Sequence, residues 1–203
     1  MKIGILLFDN FTSLDVVGPY EILSRLPDSQ IYFIGLDKKF YKDSYGLKII
    51  ADYSINEITQ LDVLLIPGGF GIDAIMENKD IIAWIKKIDS ISKWTVSVCS
   101  GSLLLAEAGL LDTKACTTHW RRKAQLKEYN VNIVDERYVQ DGKIITSAGV
   151  SAGIDMALYL TGKIAGDQTA KMIQLAIEYD PKPPFDFGSP DKVPKEMLEK
   201  MKK

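Results

Sequence analysis

The chain has 203 residues, a formal charge of −2, 46% hydrophobic and 26% charged residues. That is enough chain for one domain with a substantial core, and the charge balance gives no electrostatic case for binding nucleic acid or an anionic membrane. No apolar run approaches the ~20 residues of a membrane span, and the stretch after Met1 is too short for a signal peptide. Two cysteines, Cys99 and Cys116, form neither a disulfide framework nor a metal-ligand pattern, so a reducing cytoplasm is expected, and a single histidine, His119, excludes a His-rich metal site.

Lys2 to Phe8 is an apolar run read as a buried strand, broken by Asp9-Asn10. A helix follows as far as Leu23. Thr12 and Asp15 resemble a capping box at its start, and Gly18-Pro19 is expected to interrupt the helix and restart it. Gln30 to Leu36 is a second strand, Asp37 to Tyr45 a polar loop or small excursion, and Leu47 to Ile50 a short strand. Asp62 to Ile66 is a buried strand halted by Pro67-Gly68-Gly69-Phe70-Gly71. Ile72 to Ile91 has helical periodicity with a break near Asn78. The strand from Trp94 to Val98 runs directly into a helix-forming segment that ends at Gly109. Ala115 to Thr118 is a short strand leading to His119-Trp120, and Arg121 to Tyr129 is helical. Val131 to Val134, Tyr138-Val139 and Lys143 to Ser147 are short strands, with a turn at Asp141-Gly142. Gly149 to Gly162 and Gly166 to Tyr179 are helices. The proline-rich run from Asp180 to Pro190 is read as an extended tail, and Lys195 to Lys203 as a short exposed helix or a frayed end. Apolar strands alternating with helices predict a mostly parallel sheet covered on both faces, in one domain over residues 1–203 whose tail begins near 180.

Cys99 stands where a buried strand turns into a helix, with Ser100 and Gly101 after it. A sharp strand-to-helix turn at a nucleophilic residue is a nucleophile elbow. A helix N-terminus aimed at the thiol favours the thiolate, and cysteine pKa values in such settings fall from ~8.5 to roughly 3.5–7.5. The other reading is a small buried core residue. The Ser-Gly pair tilts toward the elbow, because a tight turn needs small residues. Asp15 near the end of the first strand and Gly68-Gly69 at the end of another would share one sheet edge with Cys99 if the three strands are parallel neighbours. The glycine pair then offers a backbone N–H that, with that of Ser100, makes an oxyanion-type hole. From the residues alone, the pair is a plain turn and Asp15 an ordinary N-terminal helix acid. His119 has an accessory role only if the fold brings it to Cys99.

These residues resemble the ThiJ/PfpI superfamily. The matching pieces are Leu14-Asp15-Val16-Val17-Gly18-Pro19 with Glu21, Pro67-Gly68-Gly69, and Val98-Cys99-Ser100-Gly101 followed by Leu104 to Leu111. Thr117-Thr118-His119-Trp120, Ser147 to Asp155 and Tyr179 to Asp186 complete the set. Within the superfamily the chain looks most like the isonitrile hydratases and the sensor domains of AraC-type regulators. The resemblance implies a flavodoxin-like three-layer α/β sandwich, and a homodimer with the first helix region near the partner. It makes Cys99 the nucleophile and Asp15 the facing acid, where many relatives carry Glu. Gly69 and Ser100 would line the site through their backbone, and Gly149 and Val150 would face the thiol. In an isonitrile hydratase the thiolate attacks the terminal carbon, Asp15 protonates the carbanion, and water releases a formamide from the thioimidate. No metal or organic cofactor is implied. Protease-like relatives often carry His directly after the cysteine, whereas Ser100 stands here, so a Cys-His-Glu triad is not expected. A glyoxalase or deglycase acting on reactive carbonyls at the same cysteine is a second implied activity. A redox or ligand sensor, with Cys99 oxidised to a sulfinate held by Asp15, is the non-enzymatic alternative. A DNA-binding regulator would need a helix-turn-helix domain after about residue 180, where this sequence has its proline-rich tail.

Overall fold

A computed structural model describes residues 1–202 of the chain, with side chains as far as Met201. In order, the elements are β1 (Lys2–Leu6), α1 (Ser13–Leu23), β2 (Gln30–Gly35), β3 (Phe40–Lys42), β4 (Lys48–Ile50), β5 (Tyr53–Ser54), β6 (Val63–Ile66), α2 (Ile72–Met76), α3 (Lys79–Ile91) and β7 (Trp94–Ser97). They continue with α4 (Gly101–Glu107), β8 (Ala115–Cys116), a 3₁₀ turn over Trp120–Arg122, α5 (Lys123–Leu126), β9 (Asn132–Ile133), β10 (Tyr138–Asp141), β11 (Ile144–Ser147), α6 (Ala152–Ala165), α7 (Asp167–Ala176) and α8 (Lys195–Lys202). The expected terminal helix is therefore present as α8, and Lys203 lies outside the described residues.

The main sheet has the order β10-β11-β7-β6-β1-β2-β5. Every neighbouring pair is parallel except the β10–β11 hairpin. The expected mostly parallel α/β architecture is what the chain adopts. Its centre explains the apolar runs: Ile3, Ile5 and Leu6 of β1 and Val63 to Ile66 of β6 are all fully buried, since a strand covered on both faces has no solvent side. Each such Leu or Ile contributes about 1.5–3 kcal/mol by leaving water. The helices fall into two groups: α1 packs on α6, which carries α7, while α2, α3 and α4 pack together. No helix among the described residues is long and apolar enough to cross a membrane.

The strand order brings the carboxyl ends of β1, β6 and β7 side by side. That adjacency was the condition for Asp15, the glycine turn and Cys99 to meet. Asn78 caps α3 by accepting the N–H groups of Asp80 and Ile81, which is the expected break in the 72–91 helix.

Four local expectations are corrected. The helix is not interrupted at Gly18-Pro19; α1 runs through Pro19. A Cβ on Gly18 would lie 3.1 Å from Ile154 Cγ1, and one on Gly153 would lie 3.2 Å from Pro19 Cγ. This close packing of α1 on α6 offsets the hydrogen bond that proline cannot donate. The Thr12–Asp15 capping box does not form: Thr12 makes no side-chain cap, because the Asp15 side chain turns inward instead. The polar excursion contains a strand, β3, paired antiparallel with β4. The short strand at 115–118 stops at Cys116 and pairs with β9 outside the main sheet.

Candidate active site

Cys99 has φ +58, a left-handed conformation that costs a non-glycine residue of order 1–3 kcal/mol unless its surroundings enforce it. The surroundings do so. The Cys99 N–H is shared between the carbonyls of Ser147 at 3.1 Å and Ala148 at 2.9 Å, and the Cys99 carbonyl accepts from Thr118 Oγ1 at 3.1 Å. Gly101 completes the turn, since a Cβ there would stand 2.3 Å from the Ile66 carbonyl oxygen. The Cys99 residue is 7% exposed.

Asp15 is fully buried at the same edge. Its Oδ2 accepts the Gly68 N–H at 2.9 Å, while its Oδ1 is buried with no N–H or O–H donor among the described residues. Burial raises the Asp15 carboxyl to about 7, against the opposing pull of the Gly68 N–H and the Cys99 thiol. Burial, and then the charge of Asp15, push the Cys99 thiol up to about 12; the N–H groups of Ser100 and Val150 and the Ser100 hydroxyl pull the other way. The thiol is thus not held as a free thiolate by the helix end. The helix behind it has 7 residues, and desolvation beside a carboxyl outweighs its field.

The expected residues sit as follows. Ser100 and Val150 direct their N–H groups at the sulfur. Gly149 lies against the His119 ring, its Cβ position 3.0 Å from His119 Cδ2. Gly69 borders the site, but its N–H is taken by Ser100 Oγ at 3.1 Å, and that of Gly68 by Asp15, so neither glycine offers the donor expected for an oxyanion-type hole with Ser100. The two donors that do meet at the sulfur are Ser100 and Val150. The one hydrogen-bond acceptor of a neutral His119 ring is turned to the backbone. Burial, then the charges of Arg121 and Arg122, lower its pKa to about 4, so it is neutral near pH 7. Its Nδ1 accepts the Arg121 N–H at 3.3 Å, and a neutral imidazole has no second acceptor. Among the described residues no group of three or more His, Cys, Asp or Glu side chains is placed to hold a metal ion.

Gly68 is the residue that pattern reading undervalued. A Cβ there would lie 2.5 Å from Ser100 N, 2.6 Å from Ser100 Oγ and 3.0 Å from Asp15 Oδ2. Only its place after Pro67 signalled a backbone approach. Gly68→Ala is expected to push Asp15 and Ser100 apart, costing about 1–3 kcal/mol in urea unfolding and on the order of 10²-fold in turnover through misplacement. Unchanged stability would show that the turn yields without moving the site.

The sequence pattern of the DJ-1/PfpI family matches residues 1–162. Over its whole length the chain is 38% identical to an isonitrile hydratase from Pseudomonas putida, covering 89% of that protein. It is 29% identical, over 88% of its length, to the HTH-type transcriptional regulator GbdR of Pseudomonas aeruginosa, of which it spans about half (51%). Among solved structures, a ThiJ/PfpI family protein from Pseudomonas syringae superposes with a TM-score of 0.95 at 32% identity, over 98% of this chain and 84% of the other.

Proposed function

The chain belongs to the DJ-1/PfpI family, and from that premise we infer that it is a cysteine-dependent isonitrile hydratase. The observation that carries this reading is Asp15 Oδ1, buried with no N–H or O–H donor among the described residues at the sheet edge it shares with the Cys99 thiol, which itself pulls on the carboxyl. A buried oxygen left unsatisfied is costly, and it fits a group that takes up and returns a proton during a reaction. In the reaction, the thiol proton passes to Asp15 and the thiolate sulfur bonds to the terminal carbon of R–N≡C. Asp15 then delivers the proton to that carbon, giving the thioimidate R–N=CH–S. Water adds to the same carbon, the C–S bond breaks, and R–NH–CHO leaves with the thiol restored. The Ser100 and Val150 N–H groups hold the sulfur while it carries charge. The reading includes a cytoplasmic homodimer acting on a small electrophile without metal or organic cofactor. Leu14 and Val17 of α1 stay exposed, as a helix that meets a second copy requires.

The test is formamide production from a simple alkyl or aryl isonitrile. Its pH profile follows from the Asp15–Cys99 pair, which titrates with values of about 7 and about 12 and holds one proton between them. The reactive form, thiolate beside neutral acid, is a tautomer of that singly protonated state. Activity is therefore expected to rise as pH climbs through about 7 and then level off, since below it both groups are neutral and no nucleophile exists. A folded protein with no isonitrile turnover at any pH sinks the reading. Turnover of dicarbonyls in its place would support a glyoxalase or deglycase, and peroxide oxidation of Cys99 without turnover a sensor.

A further inference from the structure

Two segments leave the elbow and meet again away from it. The first runs from Gly69, anchored on Ser100 Oγ at 3.1 Å, through Phe70 to Asp73 in the first turn of α2. The second runs from Thr118, whose hydroxyl donates to the Cys99 carbonyl at 3.1 Å, through His119 and Trp120 to Arg122. Their far ends are joined. The Arg122 guanidinium donates to both oxygens of Asp73, at 3.1 Å to Oδ1 and 2.8 Å to Oδ2. Gln125 bridges the pair, accepting from Arg122 at 2.9 Å and donating to Asp73 Oδ1 at 3.1 Å. The result is a closed circuit from Ser100 through Gly69, Asp73, Arg122 and Thr118 back to Cys99.

An isolated half-exposed ion pair contributes little to stability. A bidentate arginine–carboxylate pair does fix relative orientation. This one joins residues 49 apart in sequence, so what it fixes is the separation of the two segments. Phe70, 67% exposed, lies on one segment and Trp120 on the other, and Cys99 in the circuit is 7% exposed. We propose that the Asp73–Arg122–Gln125 clamp sets the width of the opening to the Cys99 thiol, which makes Asp73 and Arg122 positioning residues that select reactants by size. Selection among isonitriles rests on the hydratase reading; access to the thiol does not.

The experiment alkylates the intact protein with iodoacetamide and with the bulkier N-phenylmaleimide, and peptide mass spectrometry follows the label at Cys99. The ratio of the two rates cancels thiol ionisation. In Arg122→Met and in Asp73→Asn the relative rate of the bulky reagent is expected to rise about two- to fivefold, the weight of one partly exposed pair. The swapped pair Asp73→Arg with Arg122→Asp is expected to return the ratio toward that of the wild type. An unchanged ratio in both single variants overturns the proposal. So does failure of both to fold, because the pair would then be a determinant of the fold and not of the opening. With isonitriles, the same variants are expected to raise kcat/KM for a bulky aryl substrate relative to a small alkyl one, with kcat on the small one unchanged. A shifted alkylation ratio in a protein that turns over no isonitrile overturns the hydratase reading and supports the clamp.

Discussion

Cys99→Ala is expected to abolish formamide production, lowering kcat/KM by about 10³- to 10⁶-fold, the range found when a catalytic nucleophile is deleted. Nothing nearby replaces the thiol. Ser100 Oγ is tied to the Gly69 N–H, and Cys116 is fully buried with its thiol pushed up to about 11 by that burial. Stability should barely move. Alanine keeps the backbone bonds to Ser147 and Ala148, and the lost sulfur contacts cost about 1 kcal/mol at most. The measurement is formamide release alongside urea unfolding. Turnover within about tenfold of wild type, a difference of only ~1.4 kcal/mol in barrier, would rule Cys99 out as the nucleophile.

Asp15→Asn is expected to lower turnover by about 10²- to 10⁴-fold, the usual weight of a positioned general acid–base, and to raise stability above pH 7. Asparagine can still accept the Gly68 N–H, but it can neither take nor return a proton. The sign of the stability change follows from linkage. The native carboxyl titrates at about 7 against an ordinary value of 3.8, so the native state holds this proton more tightly than the unfolded chain does. Its contribution is fully favourable below 3.8, declines as pH rises, and is lost once pH passes about 7. The substitution removes that dependence. The gain is on the order of 2–4 kcal/mol at pH 8 and disappears near pH 4. The raised thiol does not enter this window, because its shift matters only above the ordinary thiol range near 9. Urea unfolding of both proteins at pH 4, 6 and 8 tests the pattern. A less stable variant at pH 8 would mean the carboxyl is a structural anchor, and the proton-transfer role would fall. A destabilising acid kept at a buried position is the trade of stability for activity common at functional sites.

The elbow was legible in the sequence because its parts are local. A β-branched apolar run, a cysteine, and then serine and glycine ahead of a helix-forming stretch lie within a few residues, where periodicity and steric preference act. The parallel sheet was legible for the same reason, since β6 is apolar at every position and β1 at every position after Lys2. Asp15 could not be assigned from the residues alone, because its side chain chooses between Thr12, three positions away in the turn, and Gly68, 53 residues away. That choice depends on β1 lying beside β6, which only the packing of the whole sheet fixes. The thiol's ionisation misled in the same way: a helix end is visible locally, whereas the burial and the carboxyl that outweigh it come from distant chain. Pro19 in a continuous helix, the neutral His119 and the Asp73–Arg122 clamp share this origin. Local sequence sets the conformation of each element and which residues are chemically able, while desolvation and long-range contact, which exist only once the strands are ordered, set which atoms meet and in what protonation state.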